Sequence, residues 1–362
     1  MNRTTLRALG LAAALHSPTA LADGGHGETG VIRADGHAPI GVMGDHMHKA
    51  GEFMFAYRFM FMNMDGNRIG TNSVSPQTIA TTVPNRFFGT PGQPPTLRVV
   101  PTDMTMQMHM LGAMYAPTDW LTLMAMGMYV DKSMDHLTFQ GGMGTTVLGT
   151  FETNSSGFGD TRVGGLIRLY DDETHHLHFN AGLSIPTGSI EETDQVLAPT
   201  GATPTLRLPY AMQLGSGTVD LMPGVTYSGQ AAEFGWGAQI LGTARLGRNS
   251  EGYSLGDAVE GTAWASYSPR PWISFSGRVK AQHLGSIDGI DPQIVAPVQT
   301  ADPDNYGGTQ VQLLGGINLV GQTGLLRNQR LALEFGAPVY RDLNGPQLET
   351  DWSITVGYQI AF

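Results

Sequence analysis

The stretch Gly41–Met64, GVMGDHMHKAGEFMFAYRFMFMNM, holds six methionines and two histidines in 24 residues. Thioethers are soft donors that select Cu(I) among biological metals, whereas imidazoles accept copper, zinc or nickel. Asp45-His46-Met47-His48 sets three potential donors in a row, with His37 nearby and Met43, Met54, Met60, Met62 and Met64 flanking them. Together they form a candidate capture and entry path for copper, with Cu(I) as the ion such a set would take. The blander readings are that methionine is an adaptable filler that lines promiscuous apolar sites, and that His-x-His pairs also occur on exposed loops without a ligand. A Met-coated passage could equally admit hydrophobic or aromatic molecules. The bias is regional, since 16 of the 19 methionines lie between Met43 and Met143.

These residues need elements to hold them. The last twelve residues, DWSITVGYQIAF, alternate strictly: Trp352, Ile354, Val356, Tyr358, Ile360 and Phe362 on one face, small or polar residues on the other. That period is a β-strand, and its length matches the ~9–11 residues that a tilted strand needs to cross a bilayer. Twelve such segments can be read, at about 51–63, 104–115, 119–130, 159–170, 176–186, 218–228, 234–245, 257–268, 271–283, 308–320, 329–338 and 351–362. Short connections alternate with longer ones rich in Gly, Pro, Asp and Asn (64–103, 131–158, 187–217, 246–256, 284–307 and 339–350), as in outer-membrane barrels. The expectation is an all-β protein, a transmembrane antiparallel barrel of about 12 strands of bacterial outer-membrane type, over 51–362. Trp120, Trp236, Trp264, Trp272 and Trp352 fall where interfacial girdles are expected.

Residues 1–22 read as a secretory signal peptide: a basic start at Arg3 and Arg7, an apolar stretch, then Ala20-Leu21-Ala22. Residues 23–50 follow as a Met/His-containing periplasmic tail, placed to plug a narrow twelve-stranded lumen. Loss of the leader leaves 18 of 20 basic residues against 31 acidic ones, a balance that excludes nucleic acid as a partner. The expected partners are outer-membrane lipid and a small-molecule or metal solute. With no cysteine, disulfides and thiolate sites are unavailable.

Several stretches resemble a family of bacterial outer-membrane proteins named for a meta-pathway of phenol degradation. They are GFGDTRVGGLIRLY (157–170), LSIPTGS (183–189), QLGSGTVDLMPGVTYS (213–228), NYGGTQVQLLGGINLV (305–320) and residues 330–362. The resemblance implies an outer-membrane barrel with a transport role. It fixes neither the solute nor any functional residue.

Glu52 and Arg58 would be costly toward lipid, so the face of the first strand carrying Met54, Met60 and Met62 should line the lumen. By the same polarity argument Gln107 and His109 should point inward on the next strand and send Met104, Met106, Met108, Met110 and Met114 to lipid. The third strand should turn Met124, Met126 and Met128 inward. His175, His176 and His178 form a second group that reads as a solvated turn. Asp288, Asp291, Asp302 and Asp304 offer oxygens of the kind Ca²⁺ takes, at a spacing that matches no defined loop. No catalytic pattern is present: neither a G-x-S-x-G elbow, an H-E-x-x-H pair nor a P-loop, and His109 and His136 have no partner indicated by spacing. The expected function is a channel for copper or another soft metal, alternatively for hydrophobic or aromatic molecules. A competing class is a non-transporting structural or adhesion barrel.

Overall fold

A computed structural model describes residues 33–362; the leader read over 1–22 and residues 23–32 of the tail read over 23–50 lie outside the described residues. In chain order the elements are β1 (Phe53–Gly70), β2 (Asn72–Val74), helix α1 (Pro76–Thr82), β3 (Val99–Thr118), β4 (Leu121–Phe139), β5 (Val147–Phe158), β6 (Thr161–Asp171) and β7 (His175–Ile185). There follow β8 (Thr193–Gln195), β9 (Thr205–Arg207), β10 (Asp220–Ala231), β11 (Phe234–Arg245), β12 (Tyr253–Ser254), β13 (Ala258–Arg270), β14 (Ile273–Leu284), β15 (Asp288–Gly289), β16 (Gly308–Val320) and β17 (Gln329–Ala361).

Strands pair antiparallel in the order β1-β3-β4-β6-β7-β10-β11-β13-β14-β16-β17, and β17 pairs antiparallel with β1 to close the ring. Eleven alternating elements cannot close with every pair antiparallel, so β17 must reverse within itself. Residues 330–343 pair with β16, residues 347–361 pair with β1, and Gly345 supplies a φ of 119° between them. The wall is therefore crossed twelve times. A closed ring is what hydrocarbon demands, because every backbone N–H and C=O in the wall finds a partner across strands.

The short connections sit at one end, here the turn end, and the long ones at the other, the loop end. Two stretches read as loops are structured. Residues 131–158 carry the extension of β4 and the strand β5 that pairs with it, and 64–103 holds the end of β1, β2, α1 and the start of β3. β5 and β6 both lie against β4, β6 with its first part and β5 with its second, so they form one strand broken at Gly159-Asp160. Asp160 fixes the break to the next loop: its carboxylate accepts the amides of Gly188 (3.0 Å) and Ser216 (2.9 Å) and the Ser216 hydroxyl (2.7 Å).

The outer face is apolar. Phe53, Phe55, Leu111, Ile240, Phe275 and Phe335 are exposed on it, and Trp352 stacks between Phe61 and Phe335. Trp264 departs from the expected girdle. It is buried inside the barrel against Ala38 and Val42, opposite Gly237, where a Cβ would lie 2.2 Å from the indole ring.

Candidate functional site

β1, β3 and β4 turn thirteen methionines inward: Met54, Met60, Met62 and Met64 from β1, Met104, Met106, Met108, Met110 and Met114 from β3, and Met124, Met126, Met128 and Met134 from β4. The antiparallel register aligns them. Met54, Met114 and Met124 face one another across three strands near the turn end, and Met64, Met104 and Met134 do so toward the loop end. Directly opposed side chains have Cβ atoms about 4.5–5.5 Å apart, so each row is a continuous thioether surface. The first row packs with Leu166 and Met47, the second with Leu208 and Met212.

The expectation for β3 is overturned. Its methionines face the lumen, with Met104, Met110 and Met114 buried, while Thr105, Gln107 and His109 face outward. Local pairing outweighs polarity here: the Tyr57 hydroxyl lies 2.8 Å from His109 Nδ1 on the outer face, and Phe59 packs on the imidazole ring. Each polar atom is shielded by its neighbour, which lowers the cost of facing lipid.

Residues 33–50 enter the lumen from the turn end as a hairpin. Ala34 N donates to Pro271 O on the turn before β14 (2.8 Å), the chain rises to Gly41–Gly44, and it returns to Gly51, whose N–H donates to Ala116 O on β3. Wall side chains hold its backbone. Glu334 accepts from Gly41 N (3.0 Å), Gln239 donates to Met43 O (2.9 Å), and His178 Nε2 and Asn180 Nδ2 meet Gly44 O at 2.9 and 3.1 Å. Thr122 Oγ1 accepts from His48 N (3.0 Å), and Arg330 donates to Ala38 O. A buried segment without regular structure must satisfy its backbone this way.

Within the hairpin, consecutive side chains diverge. His46 turns to His37 on the facing leg, with ring centroids 4.6 Å apart, and its Nδ1 lies 3.0 Å from Asp45 Oδ1. His48 lies against Glu52 (3.4 Å), while Met47 and Met43 point to the methionine wall, Met43 beside Met124 and Met126. Met47 thus leaves the row, while the His46 and His48 rings stay in contact with centroids 4.9 Å apart; the ligand atoms brought within 4.8 Å of one another are those of His37, Asp45 and His46. Burial, reinforced by the charges of His46 and Arg330, holds the His37 pKa well below the usual imidazole value. Burial alone would raise the Asp45 carboxyl, but the charge and contact of His46, with His37 and Arg330, outweigh it and hold the pKa well below the usual range.

The second histidine group also splits. His175 faces outward onto the Tyr227 hydroxyl (2.8 Å), His176 contacts Asp171, and His178 is buried against the hairpin. The four acids considered for Ca²⁺ are drawn to arginines instead: Asp288 to Arg248, Asp291 to Arg207, Asp302 and Asp304 to Arg86.

At the loop end, residues 186–219 and 285–307 fold over the lumen. Lys132 donates to Ala211 O (2.8 Å) and Gln213 O (2.6 Å), and Pro297 O accepts from Arg98 N and Val99 N. The buried Arg98 guanidinium gathers the carbonyls of Ala80, Gln140, Gly141, Met143 and Gly144. Beneath this roof lies a cavity of about 450 Å³ lined by Pro94, Phe151, Leu197, Leu206, Leu208 and Val298 among others, with few polar groups. Two further cavities, of about 290 and 380 Å³, share Arg162, Met222 and Thr243 and occupy the middle of the lumen. Their walls are two-sided: Met124, Met126 and Met128 on one side, and on the other Arg245 paired with Asp220, and Lys280 with Glu260 at 3.6 Å. Sequence reasoning missed the loop-end cavity, because its lining comes from six stretches far apart in the chain, within 92–99, 136–142, 151–153, 196–200, 206–209 and 295–298.

Residues 89–294, more than half of the chain, match the family described as "Putative MetA-pathway of phenol degradation". No curated protein sequence matches the chain. Among solved structures, an outer membrane channel from Pseudomonas putida F1 superposes with a TM-score of 0.55 at 13% identity, covering 89% of this chain and 99% of that one. Looser likenesses are the NanC porin (TM-score 0.41, 8% identity, 86% of this chain and 99% of that one) and the Pseudomonas putida toluene transporter TodX (0.42, 11%, 86% and 90%). The first likeness establishes the barrel fold.

Proposed function

The chain belongs to the family named for the MetA-pathway of phenol degradation, and from that premise we propose that it is an outer-membrane channel for small apolar molecules, aromatic ones included. The observation that carries the proposal is the wall of thirteen inward methionines on three consecutive strands. Outer-membrane barrels usually fill their lumen with polar groups that hold water. A thioether wall is polarisable, flexible and poorly hydrated, and suits solutes of varied shape. An aromatic ring burying about 150 Å² against it gains roughly 4 kcal/mol. Such a solute would enter the apolar cavity at the loop end, move down the methionine side past Met64, Met104 and Met134, and meet the hairpin 33–50, which has to yield for passage.

Soaking crystals with a bromonaphthalene tests this. Anomalous bromine peaks belong in the loop-end cavity and along β3; peaks confined to the outer, lipid-facing surface would refute the proposal.

A second reading rests on the register of the methionines. Rows of three thioethers, Met54–Met114–Met124 and Met64–Met104–Met134, are also a soft donor set for Cu(I). A competitive Cu(I) titration of the folded barrel under reducing conditions separates the two, because leucine in place of methionine removes sulfur and keeps the apolar wall.

A further inference from the structure

We propose that His37, Asp45 and His46 form a binding site for a divalent transition metal of the zinc class, and that the metal clasps the two legs of the lumenal hairpin together. One ligand atom from each lies within 4.8 Å of the others. Zinc–nitrogen and zinc–oxygen bonds are about 2.0–2.2 Å, so a bound ion would draw these ligand atoms closer together than they stand. Two imidazoles and a carboxylate, with the fourth position open to water, are a donor set for zinc, Cu(II) or Ni(II) rather than Cu(I). The methionines do not complete it, since Met47 turns to the methionine cluster of the wall.

An independent observation points to a ligand. Among the described residues of this cluster, His37 Nδ1 and His46 Nε2 are buried without a hydrogen-bond partner. Buried polar atoms are nearly always satisfied, so two orphaned imidazole nitrogens beside a carboxylate mark an electrophile's place. His46 Nδ1 lies 3.0 Å from Asp45 Oδ1, so the imidazole and the carboxylate are already side by side. The carboxylate is already oriented, because its Oδ2 accepts the Ala38 amide at 3.0 Å and so spans the legs. A cavity of about 90 Å³ lies against these three residues, bordered by Arg168, Asp171 and Trp236 near the turn end. The metal would therefore load from the periplasmic side. His37 and His46 are nine residues apart, and a metal joining them closes the hairpin below its Gly41–Gly44 tip.

The test uses the mature protein, folded in detergent and stripped with chelator. Zn²⁺ titration by calorimetry should show one site, with His37→Ala and His46→Ala each weakening it by about 10–100-fold or more, and His283→Ala on the outer face leaving it unchanged. Heat-modifiable gel mobility checks that each variant barrel is folded, and His37→Gln serves if alanine perturbs the hairpin. Co²⁺ in the same site should give the intense visible bands of a four-coordinate ion, and Zn²⁺ should slow amide exchange over residues 34–48. Equal affinity in wild type and both histidine variants, a Co²⁺ spectrum of the hexa-aquo type, or exchange unaffected by Zn²⁺ would each overturn the proposal.

Discussion

Arg278 grips Glu334 with two nitrogens, Nε to Oε1 at 2.7 Å and Nη2 to Oε2 at 2.9 Å, on the inner wall of the barrel. The same carboxylate accepts the amide of Gly41 at 3.0 Å. One ion pair, nearly excluded from solvent, therefore fastens the hairpin close to its tip. Its chemistry makes the fastening easy to break in a controlled way.

Glu334→Ala leaves the Arg278 guanidinium buried without its partner, a change that costs about 3–5 kcal/mol in comparable pairs. The thermal unfolding midpoint should fall, and amide exchange over residues 38–44 should quicken. Arg278→Met with Glu334→Met should recover the midpoint but not the protection of Gly41, since no acceptor returns. Recovery of both would mean that the hairpin is held elsewhere.

Gly41 has no room for a side chain. A Cβ there would lie 2.2 Å from Glu334 Oε2 and 2.4 Å from Arg278 Nη2. Gly41→Val should therefore push the tip out of its seat and raise single-channel conductance in planar bilayers, and deletion of residues 33–50 should raise it further. Unchanged conductance in the deletion would show that the hairpin does not limit flow.

The methionine wall gives a contrast between sulfur and apolarity. Replacing Met64, Met104 and Met134 together by leucine should leave uptake of a neutral aromatic within about twofold of wild type, because Leu and Met exchange at little cost. Glutamine at the same positions should lower it by about tenfold or more, as polar amides displace apolar contact. Loss of uptake in the leucine variant would favour the sulfur-dependent, Cu(I) reading.

The loop-end cavity predicts a change in affinity. Leu206, 37% exposed on the cavity lining, can be changed to Asp with little effect on folding. Calorimetry with a neutral aromatic should then show binding weakened by about tenfold or more, in line with the roughly 1.5–3 kcal/mol of a buried aliphatic side chain. No change would place the first contact of the solute outside this cavity.

The fold was legible where alternation was strict. The final strand, the sorting of connections by length and the inward Arg58 all followed from period two and from the cost of charge in lipid. β3 was not legible, because polarity is a one-residue rule and His109 is accommodated by a second strand: Tyr57 and Phe59 are its neighbours only through the register of β1 and β3. Trp264 was misplaced for a related reason, since the space it fills exists only because Gly237 lies opposite it. Likewise, His46, Met47 and His48 look like one donor set in sequence, yet a backbone threaded through a lumen sends Met47 to the methionine wall while the His46 and His48 rings stay in contact. The pairing of His37 with His46 could have been found from the hairpin signal of Gly41 and Gly44 between the two histidine positions, which brings residues nine apart face to face.

The most direct measurement is the initial uptake of radiolabelled naphthalene by intact cells of a porin-poor Gram-negative host, whose lipopolysaccharide slows apolar solutes, with arabinose followed in parallel. Cells carrying the wild-type barrel should take up naphthalene several-fold faster than cells with the empty vector, with arabinose uptake unchanged. Equal naphthalene rates with and without the barrel, or acceleration of arabinose alone, would contradict a channel for apolar solutes.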